Sequence, residues 1–226
     1  PVHAMNLDLY ARYIRLHYPD YVIVANPDIH VTSRCIERVK QALDNTEGAV
    51  MASARVTDPQ GKDLFSYWTL LPLWKDLLDT GLITRRLFKD MLNTPPYRLP
   101  NAGDEGSRLV DAVPGSFFML KPGLLTPQDI EGLFDSRIFL YYEEKVLGRK
   151  FQEMGLKTVL VTDESYVHAH SATIDKSLKR MVDKQRLLHQ SKLYYYREYL
   201  HAGPALMAAA GVALDIILAE VWFLTV

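Results

Sequence analysis

Two adjacent glutamates, Glu143 and Glu144, follow a run of aromatic and apolar residues and begin a segment with helical spacing. The apolar positions that predict the buried face of this helix are Leu147, Phe151 and Met154. Because the glutamates lie four and three residues before Leu147, at least one carboxylate should point inward or along the rim of the core. Burying an unpaired carboxylate costs several kcal/mol or forces it to bind a proton, so the placement favours a general base or a metal-linked group. The alternative is structural, because acidic residues in a first helical turn stabilise the helix dipole by about 0.3 to 1 kcal/mol.

A third carboxylate, Asp28, lies in "NPDIHV" at 26–31, directly after the β-branched run "YVIVA" at 21–25. In open α/β sheets, ligands collect beyond the carboxyl ends of the strands. A carboxylate at that place can hold Mg²⁺ or Mn²⁺, hard cations that take oxygen ligands and share them with a diphosphate. Asn, Pro and Asp also form turns, so a plain turn at the end of a strand is the alternative.

Two histidines, His168 and His170, are separated by one residue in "YVHAHSAT" at 166–173. On a strand they would share one face, because side chains alternate with period two. Imidazole is a common metal ligand, and a plain hydrogen-bonding role is the alternative. No motif nearby completes a tetrahedral zinc set.

The segments that must position these side chains alternate between helical and strand spacing. The run 21–25 predicts a buried parallel strand, Thr32 or Ser33 predicts the cap of a helix through about Ala42, and 48–56 predicts the next strand. We therefore expect a parallel crossover unit. Further along, the patterns predict helices and loops over 64–100 and two short strands within 109–121, broken at Pro114-Gly115. They then predict a helix over 144–154, strands near 157–161 and 165–168, and a long helix over about 176–200.

Composition limits the class of protein. With 226 residues, 48% of them apolar, the chain can bury one α/β core with a helical appendage. A net charge of −1 argues against bulk nucleic-acid binding, so we expect no nucleic-acid partner. The single cysteine, Cys35, excludes an intrachain disulfide and fits a reducing, cytoplasmic compartment. Because the chain starts at Pro1 and shows no signal peptide, we expect the natural protein to carry residues before it.

Four segments, in this order, resemble family 2 glycosyltransferases of the inverting kind, specifically the bacterial rhamnosyltransferase-like group that builds cell-surface polysaccharides. They are "DYVIVANPDIHVTSRCIERVKQAL", "VDAVPGSFFMLK", "FDSRIFLYYEEKVLGRKFQEMGLKTVLVTDESYVHAHSAT" and "HQSKLYYYREYL". The resemblance implies an α/β fold of the glycosyltransferase A type, a Rossmann-like mixed sheet flanked by helices, over residues 1–174. It also implies a nucleotide-diphosphate sugar donor and a divalent metal, Mn²⁺ or Mg²⁺. The family's N-terminal nucleotide-binding segment would end near residue 20, so the domain is expected to be N-terminally incomplete.

Position by position, the resemblance also implies roles for individual residues. Asp28 matches the last acidic residue of the family's metal motif, and Asn26 stands where many members have the first aspartate. Glu143 and Glu144 match a Glu-Asp pair whose second residue, here Glu144, is the general base. The remaining matches are Gly115 and Ser116 in the donor and acceptor cleft and His168 at the metal or diphosphate site, with His170 in reserve.

The C-terminal part, 175–226, is expected to contain a basic amphipathic helix followed by a hydrophobic, membrane-associating one. Residues 175–200 carry seven Lys or Arg against three acidic residues, a pattern that suits an anionic membrane surface or an ordinary packed helix. Residues 203–226 could nominally span a bilayer, but Asp215 and Glu220 would each cost about 2.5 to 3.5 kcal/mol near its centre. We therefore expect an in-plane or partner-packed helix. Peripheral contact with the inner face of the cell membrane would suit a lipid-linked or glycan acceptor.

Two other classes of function fit the same residues. One is a metal-dependent, nucleotidyltransferase-like enzyme, which would exchange or hydrolyse nucleotides without an acceptor sugar. Analysis of the products separates it from a glycosyltransferase, which needs both substrates and releases the nucleoside diphosphate. The other is a catalytically impaired remnant that acts as a membrane-associated scaffold, in which Asp28→Ala and Glu144→Ala would leave partner binding unchanged.

Overall fold

The computed structural model of the chain describes residues 2–92, 106–138, 141–169 and 181–225. These residues form two compact units. The first contains 2–70, 106–137 and 143–169, and the second contains 71–92, 138, 141–142 and 181–225. The second unit therefore combines the C-terminal helices with a segment from the middle of the chain.

Six strands in the described part of the first unit form one mixed, open sheet. They are β1 (Val22–Ala25), β2 (Ile29–His30), β3 (Ala49–Thr57), β4 (Ser107–Val110), β5 (Phe117–Leu120) and β6 (Lys157–His168). The order across the sheet is β1, β5, β3, β6, β2, and β4 also pairs with β6. β3 and β6 run parallel, and the other pairings are antiparallel. The predicted α/β class with a mixed sheet is confirmed.

The first strand forms at the predicted position, but its environment differs from the prediction. β1 pairs antiparallel with β5, Val22 and Val24 are buried, and Ile23 and Ala25 are exposed. Alternating burial marks a strand with one covered face, so the prediction of a buried parallel strand at this position is wrong. β1 and β3 do run in the same direction, since both are antiparallel to β5, but β5 lies between them.

Helices of the first unit cover both faces of the sheet. They are α1 (Val2–His17), α2 (Ser33–Asn45), α6 (Pro127–Glu131) and α7 (Glu143–Glu153), with a short 3₁₀ helix at Pro122–Leu124. On one face, Cys35, Val39 and Leu43 of α2 pack with β3 and β6. On the other face, the apolar side chains of α1, α6 and α7 that pack on the sheet are Ile14, Ile130, Leu147 and Phe151.

Local signals placed the start of α2 correctly and the end of α7 within one residue. The side chain of Thr32 accepts a hydrogen bond from the N–H of Cys35 at 3.1 Å, so Thr32 rather than Ser33 caps α2. Met154 follows the last residue of α7 and is 38% exposed, so its predicted place on the buried face is wrong. The helical period no longer applies beyond the helix end, which explains the error.

The later strands follow the predicted pattern with one difference. β4 and β5 are separated at Pro114-Gly115, as predicted. The two strands predicted near 157–161 and 165–168 are one, β6, whose register against β3 jumps from Val161 to Ser165. A bulge of this kind interrupts the pairing without ending the strand.

The second unit is helical. Its helices are α3 (Leu73–Leu78), α4 (Leu82–Leu87), α5 (Lys89–Leu92), α8 (Met181–Glu198) and α9 (Pro204–Thr225). α9 packs along α8 and also contacts α3 and α4. The long helix predicted over 176–200 is confirmed from Met181 onward, and residues 170–180 lie outside the described residues.

Candidate active site

The predicted site residues that the structure describes lie at one edge of the sheet because of the strand directions. β1, β3 and β6 run the same way, so their carboxyl ends share an edge, and the amino end of the antiparallel β5 lies at that edge too. Asn26 follows β1, and its backbone N–H donates a hydrogen bond to the carbonyl of Ser116, just before β5, at 2.8 Å. This is the edge at which open α/β sheets bind ligands.

Gly115 joins this edge to the start of α7. Its backbone N–H donates to Oε1 of Glu144 at 3.2 Å. A Cβ added to Gly115 would lie 3.2 Å from the same oxygen, closer than ordinary van der Waals contact. Glycine therefore lets the backbone and the carboxylate meet, and the contact holds Glu144 at the sheet edge.

The side chain of Ser116 is buried and bonded to a residue that sequence reasoning missed. The hydroxyls of Ser116 and Tyr166 lie 2.7 Å apart, and the rings of Phe117 and Tyr166 pack with centroids 5.1 Å apart. Burial raises the pKa of the Tyr166 phenol above its usual range, so it stays protonated and able to donate. The sequence contained a signal for this residue: Tyr166 lies two residues before His168 on the same strand, so the two side chains share a face.

Asp28 and His168, predicted as metal ligands, are neighbours. Nε2 of His168 lies 3.4 Å from Oδ1 of Asp28, and the N–H of Ala169 donates to the Asp28 carbonyl at 3.2 Å. The pairing of Ile29 with His168 in β2 and β6 sets this arrangement. The other predicted ligand, His170, lies outside the described residues.

The donor set formed by Asp28 and His168 fits a hard divalent cation only in part. The carboxylate of Asp28 is the type of ligand that Mn²⁺ and Mg²⁺ prefer, whereas the imidazole of His168 suits softer transition metals better than Mg²⁺. Within the described ranges, no group of three or more His, Cys, Asp and Glu side chains is arranged to hold a metal ion.

The two glutamates have different electrostatic environments. Burial raises the pKa of the Glu143 carboxyl well above its usual value, and the charge of Glu144 raises it further. The Glu143 carboxyl therefore gives up its proton at a higher pH than an exposed glutamate does. Glu144 differs in that its Oε1 accepts the hydrogen bond from the N–H of Gly115.

The chain enters α7 through a strained backbone. Tyr141 and Tyr142 have φ angles of 66° and 73°, the left-handed region that non-glycine residues avoid at a cost of about 1 to 2 kcal/mol each. Such residues cluster at active sites and ligand clamps. Their position directly before Glu143 is therefore consistent with a functional helix start.

A buried polar cluster in the second unit was also missed from the sequence. Nζ of Lys192 lies 2.6 Å from Oδ2 of Asp76, and the hydroxyl of Tyr196 donates to the same oxygen at 2.6 Å. The Tyr142 hydroxyl also donates to Asp76, and burial raises the pKa of this phenol well above its usual value. The helical spacing of Lys192 and Tyr196 indicates a shared face, but nothing in the sequence identifies Asp76 as their partner.

A groove of about 820 Å³ lies elsewhere in the first unit, along α1 and β1. Its lining includes Leu9, Tyr13, Leu16, Tyr21 and Ile23. None of the predicted site residues contributes to the lining. The groove is therefore distinct from the carboxylates and histidine described above.

No model of a known protein family matches the chain, and no curated protein matches it. The site is therefore described by its own geometry.

Proposed function

We propose that the protein is an inverting glycosyltransferase with a fold of the glycosyltransferase A type. It would move a sugar such as rhamnose from a nucleotide-diphosphate donor to a lipid-linked or polysaccharide acceptor in bacterial cell-surface glycan synthesis. One observation carries the proposal: Glu144, Gly115 and the Asp28–His168 pair lie along the edge formed by the carboxyl ends of the parallel strands. We also propose the cytoplasmic face of the cell membrane as the location, which the single, buried Cys35 supports.

In the proposed reaction, Glu144 is the general base. Its carboxylate takes the proton of an acceptor hydroxyl while that oxygen attacks the anomeric carbon of the donor sugar. The bond from the anomeric carbon to the diphosphate oxygen breaks on the opposite side, and its electron pair leaves with the nucleoside diphosphate. One displacement inverts the configuration, so no covalent enzyme intermediate is needed.

The raised pKa of Glu143 supports this role of Glu144. Two ionised carboxylates at adjacent positions repel each other, and a higher pKa of Glu143 lessens that repulsion. Oε1 of Glu144 is held by the N–H of Gly115. An oriented carboxylate loses little entropy when it receives the acceptor proton.

Asp28 and His168 are the residues that would hold the divalent cation, and a bound Mn²⁺ or Mg²⁺ neutralises negative charge on a diphosphate leaving group. Asn26 stands on the same chain segment and carries an amide in place of a second carboxylate. The segment would thus supply one charged ligand to the metal. The carbonyl of Ser116 accepts from the N–H of Asn26, so Ser116 and the preceding Gly115 lie beside Asn26, consistent with their proposed place in the donor and acceptor cleft.

The test is a two-substrate assay. The purified protein is incubated with Mn²⁺, a panel of nucleotide-diphosphate sugars that includes dTDP-rhamnose, and a lipid-linked acceptor. We expect release of nucleoside diphosphate that depends on the acceptor, together with an acceptor product heavier by one sugar. Nucleotide turnover without any need for acceptor would instead support the nucleotidyltransferase-like alternative. Absence of turnover, with partner binding unchanged in Asp28→Ala and Glu144→Ala, would support the scaffold alternative.

A further inference from the structure

The second unit exposes many large apolar side chains on two of its parts. One part is α4 with α5, and the other is α9. We call the two sets together the apolar face. Its members are Leu82, Ile83, Leu87, Phe88, Met91, Val212, Ile216, Trp222, Phe223 and Leu224, which are 40% to 78% exposed.

α9 carries apolar side chains over most of its circumference, interrupted by the exposed Asp215 and by Glu220. Its buried stripe consists of Ala210, Leu214, Ile217 and Val221. On the opposite side, Val212, Ile216 and Phe223 are 62%, 64% and 78% exposed. The helix is long and apolar enough to cross a membrane by length and composition, yet only 22% of its most apolar window is buried within the protein. Large apolar side chains gathered on the exposed side of a helix mark a surface that contacts a partner or a membrane.

The two parts of the apolar face meet at Glu220. Oε1 of Glu220 accepts a hydrogen bond from the backbone N–H of Ile83 at 2.7 Å, which holds the start of α4 against α9. Ile216 lies four residues before Glu220, and Phe223 three residues after it, so both neighbour it on the helix surface. The exposed side chains of α4 therefore continue those of α9.

Cations accompany the apolar face. Arg86 and Lys89 are exposed among the apolar residues of α4 and α5, and the neighbouring Arg85 pairs with Asp79 at 3.1 Å. On α8, which packs along α9, the exposed Arg186 and Arg197 lie beside Asp183 and Glu198. Exposed apolar side chains interspersed with Lys and Arg characterise segments that lie in the interface of an anionic bilayer.

The packing of α9 favours an in-plane position over a span. Its buried stripe contacts α8, α3 and α4, and α8 carries charged side chains that cannot enter the hydrocarbon core. Withdrawing α9 across the bilayer would also break the hydrogen bond between Glu220 and Ile83. A position of α9 in the plane of the bilayer preserves both its packing and the hydrogen bond between Glu220 and Ile83.

We propose that the apolar face is a membrane-docking surface that lies in the plane of an anionic bilayer, with Arg86 and Lys89 against the lipid phosphates. The apolar side chains of α4, α5 and α9 enter the boundary between headgroups and acyl chains. This surface rests on the proposed location at the membrane and names the side chains that contact lipid, and its test does not depend on sugar transfer.

The test is flotation of the full chain with vesicles of phosphatidylcholine alone or mixed with phosphatidylglycerol. We expect binding to the anionic vesicles, weakened about tenfold or more by Leu87→Glu and by Phe223→Glu. The matched control is Leu109→Glu, because Leu109 is an exposed leucine (56%) on β4 in the first unit and should not affect binding. The double substitution Arg86→Glu/Lys89→Glu should weaken binding about tenfold or more, whereas Lys62→Glu should not.

A milder measurement does not depend on introducing charges. Brominated lipids quench indole fluorescence only within the bilayer, so we expect quenching in the wild type that falls in Trp222→Phe. Three results would overturn the proposal: no vesicle binding by the wild type, equal binding by Leu87→Glu and Leu109→Glu, or no change in quenching in Trp222→Phe. A monomer–dimer equilibrium that Leu87→Glu abolishes, with vesicle binding unaffected, would also overturn it and assign the face to a second copy of the chain.

Discussion

Oε1 of Glu144 accepts a hydrogen bond from the backbone N–H of Gly115 at 3.2 Å. The contact connects the first turn of α7 with the chain just before β5, and so holds a carboxylate at the sheet edge that also carries Asn26. Among the natural residues, only proline at position 115 would remove this backbone donor. Five predictions concern this site, the packing of α7 and the buried ion pair of the second unit.

The first prediction concerns the proposed base. Glu144→Gln keeps an oxygen that can accept from Gly115, so we expect the fold and donor binding to be preserved. Sugar transfer should fall by about 10²- to 10⁴-fold, the usual loss when a general base is removed. Donor binding is measured by calorimetry and transfer by product release. Glu153→Gln, an exposed position on the same helix, is the control. Turnover within about tenfold of the wild type would contradict the assignment.

The second prediction is a pH dependence caused by Glu143. The pKa of this carboxyl rises from 4.5 to about 8 on folding, chiefly through burial, so the folded protein holds a proton that the unfolded chain releases. The resulting stabilisation is complete below pH 4.5 and is lost as the pH rises towards about 8. Glu143→Gln should not show this loss. The difference between its melting temperature and that of the wild type should therefore grow in favour of the variant as the pH rises from 4.5 to about 8. Parallel curves for the two proteins would show that Glu143 does not titrate in this way.

The third prediction concerns the metal. Asp28→Asn and His168→Gln should each weaken Mn²⁺ binding by about tenfold or more, measured by calorimetry and by the Mn²⁺ concentration for half-maximal turnover. His30→Gln, an exposed histidine on β2, should leave both quantities unchanged. Removal of divalent ions with a chelator should abolish transfer. If Asp28→Asn bound Mn²⁺ as the wild type does, the proposed ligand pair would be wrong.

The fourth prediction concerns the packing of α7. A Cβ added to Gly148 would lie 2.2 Å from the carbonyl oxygen of Asp111, so Gly148→Ala must displace the helix or that backbone. We expect destabilisation by about 1 to 3 kcal/mol, measured by chemical denaturation. Gly211→Ala on α9 is the control, because an added Cβ meets nothing within 4 Å there. At that position alanine should stabilise the helix by up to about 1 kcal/mol. Equal effects at the two sites would contradict the close approach of α7 to Asp111.

The fifth prediction concerns the buried ion pair of the second unit. The side chains of Lys192 and Asp76 are only 5% and 3% exposed. Lys192→Met should destabilise the protein by about 3 to 5 kcal/mol, because it leaves a buried carboxylate without its cation. The double variant Asp76→Asn/Lys192→Met should recover part of that loss. Lys40→Met, which breaks the exposed pair with Asp44, should cost no more than about 1 kcal/mol. A similar effect of Lys192→Met and Lys40→Met would contradict the role of burial.

The sequence alone was sufficient for features that depend on near neighbours. Thr32 as a helix cap, the break at Pro114-Gly115 and the start of α7 at the glutamates follow from capping, turn chemistry and periodicity over a few residues. The placement of Asp28 just past a strand also came from local pattern. Local patterns predict where a helix or strand begins and ends, and which of its side chains share a face.

Only the tertiary structure decided which elements meet. β5 lies between β1 and β3, and β1 is covered on one face, because strand pairing joins segments that are distant in sequence. The contact of Ser116 with Tyr166 spans 50 residues, and that of Asp76 with Lys192 spans 116. Helix and strand periodicities repeat identically along the chain and carry no information about a particular distant partner. The sequence therefore determined the elements and the chemical groups at their ends, and the packing of those elements determined which groups form a site.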